Sequence, residues 1–274
     1  MKNRELYNGV KIPIVGLGTY KLKDNEAENI ISKALNLGYR HFDTASYYEN
    51  EAIIGTTLRK SMIPREEIFI TTKVWDDDQG YEETINSFYR SLERLQTDYI
   101  DLFLIHWPTQ KSLDTWRALE YLYNKGLVRA IGVSNFEIEH LELLVEHAEI
   151  TPMVNQVERH PYLTQEVLYE YCSNNSIVME AWSPLVRGEV LKEELVLALA
   201  KKYGKTPGQI ILRWQIQTDF IVFPKTATVS RLEENIALFD FVLTDEEIIE
   251  ISNLNKNYRT GADPSKRTIE KAPI

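Results

Sequence analysis

Apolar positions along the chain fall into two alternating rhythms. Short runs rich in β-branched and aromatic residues recur near Val15–Gly18, Arg40–Thr44, Ile68–Lys73, Ile100–His106, Ala130–Ser134, Met153–Glu158, Ile177–Trp182 and Phe220–Pro224. Between them lie segments with three- and four-residue apolar steps. Ile85, Phe88, Leu92 and Leu95 make one stripe, and Leu113, Trp116, Leu119 and Leu122 make another. The first rhythm predicts strands, the second helices with one buried face. Strands separated by helices pair in parallel, and eight candidates match a closed (β/α)8 TIM barrel.

The element ends agree. Thr206 before Pro207 reads as an N-cap with proline in the first helical position, and Ser230 with Glu233 and Thr244 with Glu247 have capping-box spacing. Gly38, Gly126 and Gly204 follow apolar-periodic runs, where a helix closes on a left-handed residue. Ahead of the first barrel strand, Arg4–Tyr7 and Val10–Ile12 flank Asn8-Gly9, a pair suited to a type I′ hairpin turn. This hairpin is expected to close the lower end of the barrel. The tail Gly261–Ile274, rich in Pro, Lys and Asp, reads as a loop over the barrel mouth, with disorder as the rival reading.

Length and composition add limits. The 274 residues, 43% of them hydrophobic and 26% charged, fit a single domain over 1–274, a size that such barrels routinely reach. A net charge of −10 repels phosphate backbones and anionic lipid at long range, so neither nucleic acid nor membrane is an expected partner. An anionic cofactor would need a local cluster of cations. The lone Cys172 cannot form an internal disulfide and reads as a core residue. The first residues carry no apolar core of a signal peptide, so the expected location is the cytoplasm, as a monomer or weak dimer.

Barrel chemistry sits at the C-terminal ends of strands. Asp43 closes one predicted strand, Tyr48 follows in the next loop, Lys73 ends another, and His106 ends the run Ile100–Ile105. A lysine and an aspartate beside buried strands are costly unless paired, so Asp43 and Lys73 are expected as an ion pair. A tyrosine next to that lysine would have its pKa lowered from about 10 toward working pH, making it a usable general acid. The histidine could orient a carbonyl oxygen. Taken singly, Tyr48 could be a loop aromatic, His106 a core histidine and Asp43 a cap; the four together at strand ends weaken that reading. Gly16-Leu17-Gly18 lacks the third glycine of a dinucleotide fingerprint, because Lys21 holds its place. Farther on, Lys225 and Thr226 leave the last strand, and Arg231 lies at the start of a helix, which supplies the required cations near a positive helix end. Arg and Lys together could select a 2′-phosphate.

These blocks resemble the aldo-keto reductase family over nearly the whole chain and in the same order: Gly16–Tyr20, His41–Ala45 with Tyr48 and Asn50-Glu51, Thr72–Trp75, Leu104–Pro108, Gly132–Phe136, and Pro224–Thr226 through Arg231 to Asn235. The resemblance implies NADPH-dependent reduction of carbonyl compounds. In it Tyr48 donates the proton, Lys73 and Asp43 tune it, and His106 positions the carbonyl. It further implies that Ser134, Asn135 and Gln156 hold the nicotinamide carboxamide and that Trp182, where many members carry tyrosine, stacks on its ring. Ser183 and Leu185 would line the pyrophosphate path, and Lys225, Thr226, Arg231, Glu234 and Asn235 would surround the adenosine phosphate. Tyr20, Trp75 and Trp107 resemble substrate-pocket aromatics, with core packing as their other reading. The nearest likeness is to bacterial reductases of glyoxals, diketo-gluconates and assorted aldehydes. The rival from another class is a nucleotide-binding regulatory module on the same fold. A Schiff-base aldolase using Lys73 is a second.

Overall fold

The computed structural model describes residues 2–270. A two-stranded antiparallel hairpin, β1 (Asn3–Glu5) and β2 (Lys11–Pro13), precedes the main sheet. That sheet has eight strands: β3 (Leu17–Gly18), β4 (His41–Asp43), β5 (Phe69–Val74), β6 (Ile100–Ile105), β7 (Val128–Ser134), β8 (Val154–Glu158), β9 (Val178–Trp182) and β10 (Ile221–Val222). Each pairs in parallel with the next in chain order. Parallel bridges Val15–Val222 and Gly18–Lys225 join the two ends and close the barrel. Every run read from the sequence is a strand, with its limits moved slightly.

The helices are α1 (Asp24–Asn36), α2 (Glu51–Lys60), α3 (Tyr81–Leu95), α4 (Ser112–Asn124), α5 (Ile138–His147), α6 (Glu166–Asn174), α7 (Glu194–Tyr203), α8 (Pro207–Gln217), α9 (Val229–Ile236) and α10 (Asp245–Ser252). The α4 stripe is buried throughout. On α3 the buried face is turned toward smaller residues: Phe88 and Leu95 are buried with Thr84, Ser87 and Ser91, while Ile85 and Leu92 are half-buried at its flank. The hydroxyls have partners, Ser87 on Asp78 and Ser91 on Glu51, so they tolerate burial. Helices α7, α8 and α10 share a second apolar cluster around Val196, Ile210, Trp214 and Ile251, outside the simple strand–helix alternation.

Two local expectations change. The hairpin turns through Tyr7-Asn8-Gly9 with only Gly9 at positive φ (84°), and Gly9 N–H bonds to Leu6 O (2.8 Å). This is a three-residue loop with a left-handed glycine rather than a type I′ turn. The hairpin still closes the lower end: Leu6 and Ile12 are buried, Tyr7 Oη donates to Thr151 O (2.5 Å), and Asn8 Nδ2 donates to Arg129 O (3.0 Å). The second change is at α9, which is capped by Thr228, so Ser230 lies inside the first turn and no box with Glu233 forms. Thr226 Oγ1 accepts from Thr228 N–H (3.0 Å), and this turn starts the helix early. The boxes at Thr206 with Gln209 and at Thr244 with Glu247 are both present.

The tail crosses the mouth as expected. Arg259 pairs with Glu137 (2.6 Å), Glu158 accepts from Thr260 N–H (2.7 Å) and Gly261 N–H (3.2 Å), and Arg267 pairs with Asp76 (2.5 Å). Its last residues, 271–274, lie outside the described part of the chain. Cys172 is buried, and burial pushes its thiol up to about 12. Among the described residues, no helix is long and apolar enough to cross a membrane.

Candidate active site

Asp43 is the last residue of β4 and Lys73 the last but one of β5, so adjacent parallel strands bring them together at the upper rim. Lys73 is completely buried. Its Nζ donates to Asp43 Oδ1 (2.8 Å), Asp43 Oδ2 (2.9 Å) and Thr44 O (2.8 Å), which uses all three ammonium hydrogens. The predicted ion pair is therefore present.

Tyr48 ends a short 3₁₀ turn, Ser46–Tyr48, directly after β4. Ser46 Oγ donates to Lys73 O (3.0 Å) and fixes the start of this turn. Its exit is fixed by Asn50, which accepts from Thr44 Oγ1 (2.7 Å) and donates to the carbonyls of Thr19 (2.8 Å) and Leu22 (3.0 Å). Glu51, buried at the start of α2, takes Thr72 Oγ1 (2.6 Å) and Arg94 (2.6 Å). Asn50 and Glu51 thus clamp the tyrosine loop to β3, β5 and α3.

The Tyr48 ring centre lies 5.2 Å from Lys73 Nζ, 5.6 Å from the His106 ring and 5.0 Å from Tyr20. The expected lowering of the phenol pKa is not what this geometry gives. Burial, the Asp43 carboxylate and Tyr20 hold it well above 10. Burial is the largest cause, and Lys73, whose hydrogens are spent on Asp43 and Thr44, does not overcome it. The phenol therefore remains protonated.

His106 stands one residue beyond β6, its N–H bonded to Val74 O (3.2 Å). Burial, then Lys73 and Arg267, hold its pKa well below 6.5, so the ring is neutral. Among the described residues its buried Nδ1 has no partner. A neutral imidazole beside a protonated phenol offers two donors to one acceptor oxygen, which suits a carbonyl.

These residues line one cleft of about 620 Å³ that runs from Asp43, Tyr48 and His106 past Trp182 to Lys225. Tyr20, Trp75 and Trp107 line its outer end, as do two residues the sequence reading passed over, Tyr47 and Lys21. Tyr47 stacks on Trp75 (ring centres 3.8 Å, 19° between planes) and covers one side of His106. Inside, Asn135 ties three groups: Nδ2 donates to His106 O (2.9 Å) and Ser134 Oγ (3.0 Å), and Oδ1 accepts from Trp182 Nε1 (2.8 Å). Tryptophan in place of tyrosine thus gains an anchor for its ring. Gln156 Nε2 donates to Asp43 Oδ2 (2.8 Å) and to Glu180 Oε2 (2.8 Å). Glu180 was also missed, although it lies two residues before Trp182 on the same strand face.

Ser183 and Leu185 continue the cleft, and Ser183 Oγ meets Thr260 Oγ1 (3.4 Å). Lys225 is exposed at the far end and Thr226 is buried beside it. Arg231 is exposed in the first turn of α9, without an ion-pair partner among the described residues; Glu234 is half-buried and Asn235 buried on the same helix. An indole platform in the middle and uncommitted cations at one end fit an elongated, anionic nicotinamide nucleotide.

Residues 14–195 and 189–256 match the model of the aldo/keto reductase family. The chain is 50% identical over 264 residues to glyoxal reductase of Bacillus subtilis, covering 96% of each. It superimposes with a TM-score of 0.95, at 45% identity, on an aldo-keto reductase from a deep-sea metagenome library, covering 97% of this chain and 99% of that one. A Bombyx mori aldo-keto reductase in complex with NADP gives a TM-score of 0.91 at 35% identity, with 98% of this chain and 97% of that one covered. The chain belongs to the aldo/keto reductase family. It is an NADP(H)-dependent oxidoreductase acting on carbonyl groups.

Proposed function

We propose that the protein reduces small aldehydes and ketones, glyoxal-type dicarbonyls among them, with Tyr48 as the general acid. The observation that carries this reading is the meeting of a protonated phenol and a neutral imidazole over a fully buried Asp43–Lys73 pair. His106 donates to the carbonyl oxygen and holds it against Tyr48. NADPH, when bound, supplies the hydride. As negative charge grows on the oxygen, Tyr48 passes its proton to it, and the phenolate left behind is steadied by Lys73, which Asp43 keeps in place.

Ser134, Asn135 and Gln156 would hold the carboxamide, with Trp182 against the ring. Ser183 and Leu185 would follow the pyrophosphate, with Lys225, Thr226, Arg231, Glu234 and Asn235 around the adenosine phosphate and the Lys225 and Arg231 cations selecting the 2′-phosphate. The aromatic outer end, with Tyr47 stacked on Trp75, favours small or flat substrates. Support for the glyoxal class comes from the likeness to glyoxal reductase.

The test is the loss of reduced-nicotinamide absorbance with NADPH and methylglyoxal or an aromatic aldehyde. Activity across neither class sinks the reading. Tyr48→Phe is expected to abolish turnover while nucleotide binding, read by fluorescence quenching, stays intact; loss of both would give the tyrosine a different role.

A further inference from the structure

A second carboxyl lies inside the barrel next to Asp43. Glu180, the middle residue of β9, is fully buried. The Gln156 amide nitrogen has two hydrogens and divides them, one to Asp43 Oδ2 and one to Glu180 Oε2, each at 2.8 Å. The other oxygen, Glu180 Oε1, has no partner among the described residues. Lys73, the ammonium acting on both carboxyls, is fully engaged by Asp43 and Thr44. Two carboxyl groups therefore share one cation, and Asp43 holds it.

The groups that act on Glu180 are Asp43 from β4, Lys73 from β5 and the uncharged Gln156 from β8; Ile221, its partner on β10, adds no charge. An anion at Glu180 would face Asp43 with one amide hydrogen as its support, whereas a neutral acid there avoids both the desolvation and the repulsion. Burial and then Asp43 accordingly push this carboxyl up to about 8.

We propose that Glu180 is a positioning residue of the catalytic site: as a neutral acid it lets Gln156 hold Asp43 where it fixes Lys73 under Tyr48, and its ionisation disturbs that alignment. A charged Glu180 draws the Gln156 amide toward itself and competes with Asp43 for Lys73. Turnover then falls on the alkaline side. The inference rests on the reading in which Asp43 and Lys73 serve Tyr48.

Glu180→Gln, neutral at every pH, is the test. The alkaline fall of its kcat is expected to move up by about one pH unit or more relative to wild type. In the ligand-free protein, infrared spectra should contain a protonated-carboxyl band that fades as the pH passes about 8 and is missing from Glu180→Gln. An unchanged alkaline limb, or no such band, overturns the proposal. The infrared arm needs no turnover, so it stands apart from failure of the reductase reading. Should Glu180→Gln not fold, Asp43→Asn supplies a second check: with the neighbouring anion gone, the band must fade at lower pH, and an unmoved midpoint counts against the coupling.

Discussion

Replacing Lys73 with methionine tests the electrostatic logic of the site most directly. The substitution keeps the length and apolar bulk of the side chain but removes the single cation that holds Asp43. Asp43 would retain only the Gln156 amide hydrogen among the side-chain donors that now reach it. A charge pair at about 4 Å is worth about 4 kcal/mol at an effective dielectric of 20, and the contacts here, 2.8 and 2.9 Å, are closer. Removing one partner of a buried pair costs about 3–5 kcal/mol, because the other charge is stranded. We therefore expect a loss of about 4 kcal/mol in urea unfolding and, at roughly 2–4 °C per kcal/mol, a fall in Tm of about 8–16 °C. Adding Asp43→Asn removes the stranded anion, so the double variant should recover about 2 kcal/mol or more. The reasoning fails if Lys73→Met costs less than about 1 kcal/mol, or if the two substitutions simply add.

Arg231→Ala should raise the Kd for NADPH about tenfold, roughly 1.4 kcal/mol, and leave that for NADH nearly unchanged; equal effects in fluorescence titration would remove the 2′-phosphate from this residue. Tyr47→Ala opens the wall beside Trp75, so kcat/KM for bulky aryl ketones should rise relative to methylglyoxal, and an unaltered ratio would discount Tyr47 as a limit on size. Glu180 also makes stability depend on pH. Its carboxyl titrates at about 8 when folded and near the ordinary value of about 4.3 when unfolded, so between these the unfolded chain releases a proton that the folded chain keeps. Stability must then fall as pH rises through that window, by up to about 1.4 kcal/mol per unit. His41, held at about 4 by burial, and His106 act oppositely below about pH 6.5, but they cancel in the difference between wild type and Glu180→Gln. A difference that does not change between pH 5.5 and 7.5 would contradict the buried neutral acid.

The strands were legible because runs such as Ile100–Ile105 are apolar at every position but Asp101, whose carboxylate is paired with Arg65 and Arg129, and such a run is the mark of a strand covered on both faces. Asp43, Lys73 and His106 were legible because a charge or a histidine ending such a run has few structural uses. What the sequence hid depends on distance in space. The acidity of Tyr48 turns first on how deeply its phenol is buried and then on the Asp43 carboxylate beside it, which only coordinates supply. Glu180 could have been found by counting back two from Trp182, since alternate residues share a face. The clasp of Thr260 and Gly261 by Glu158 spans about a hundred residues, and no local pattern announces it. At α9 the spacing of Ser230 and Glu233 was right for a box, but the Thr226 turn had already begun the helix.

The barrel is joined to itself by very little. Where β3 meets β10, each strand has two residues, and the bridge nearest the mouth pairs Gly18 with Lys225. A methyl group on Gly18 would come within 2.5 Å of Phe223 O, so this join tolerates no side chain there. Lys225 also lines the cleft, and a nucleotide gripping it would work as a staple across the weakest joint of the wall. Saturation at a hundred times Kd adds about 2.7 kcal/mol to the folded state. Amide exchange near Val15 and Val222 should slow before that of β6 and β7, which are already locked on both sides.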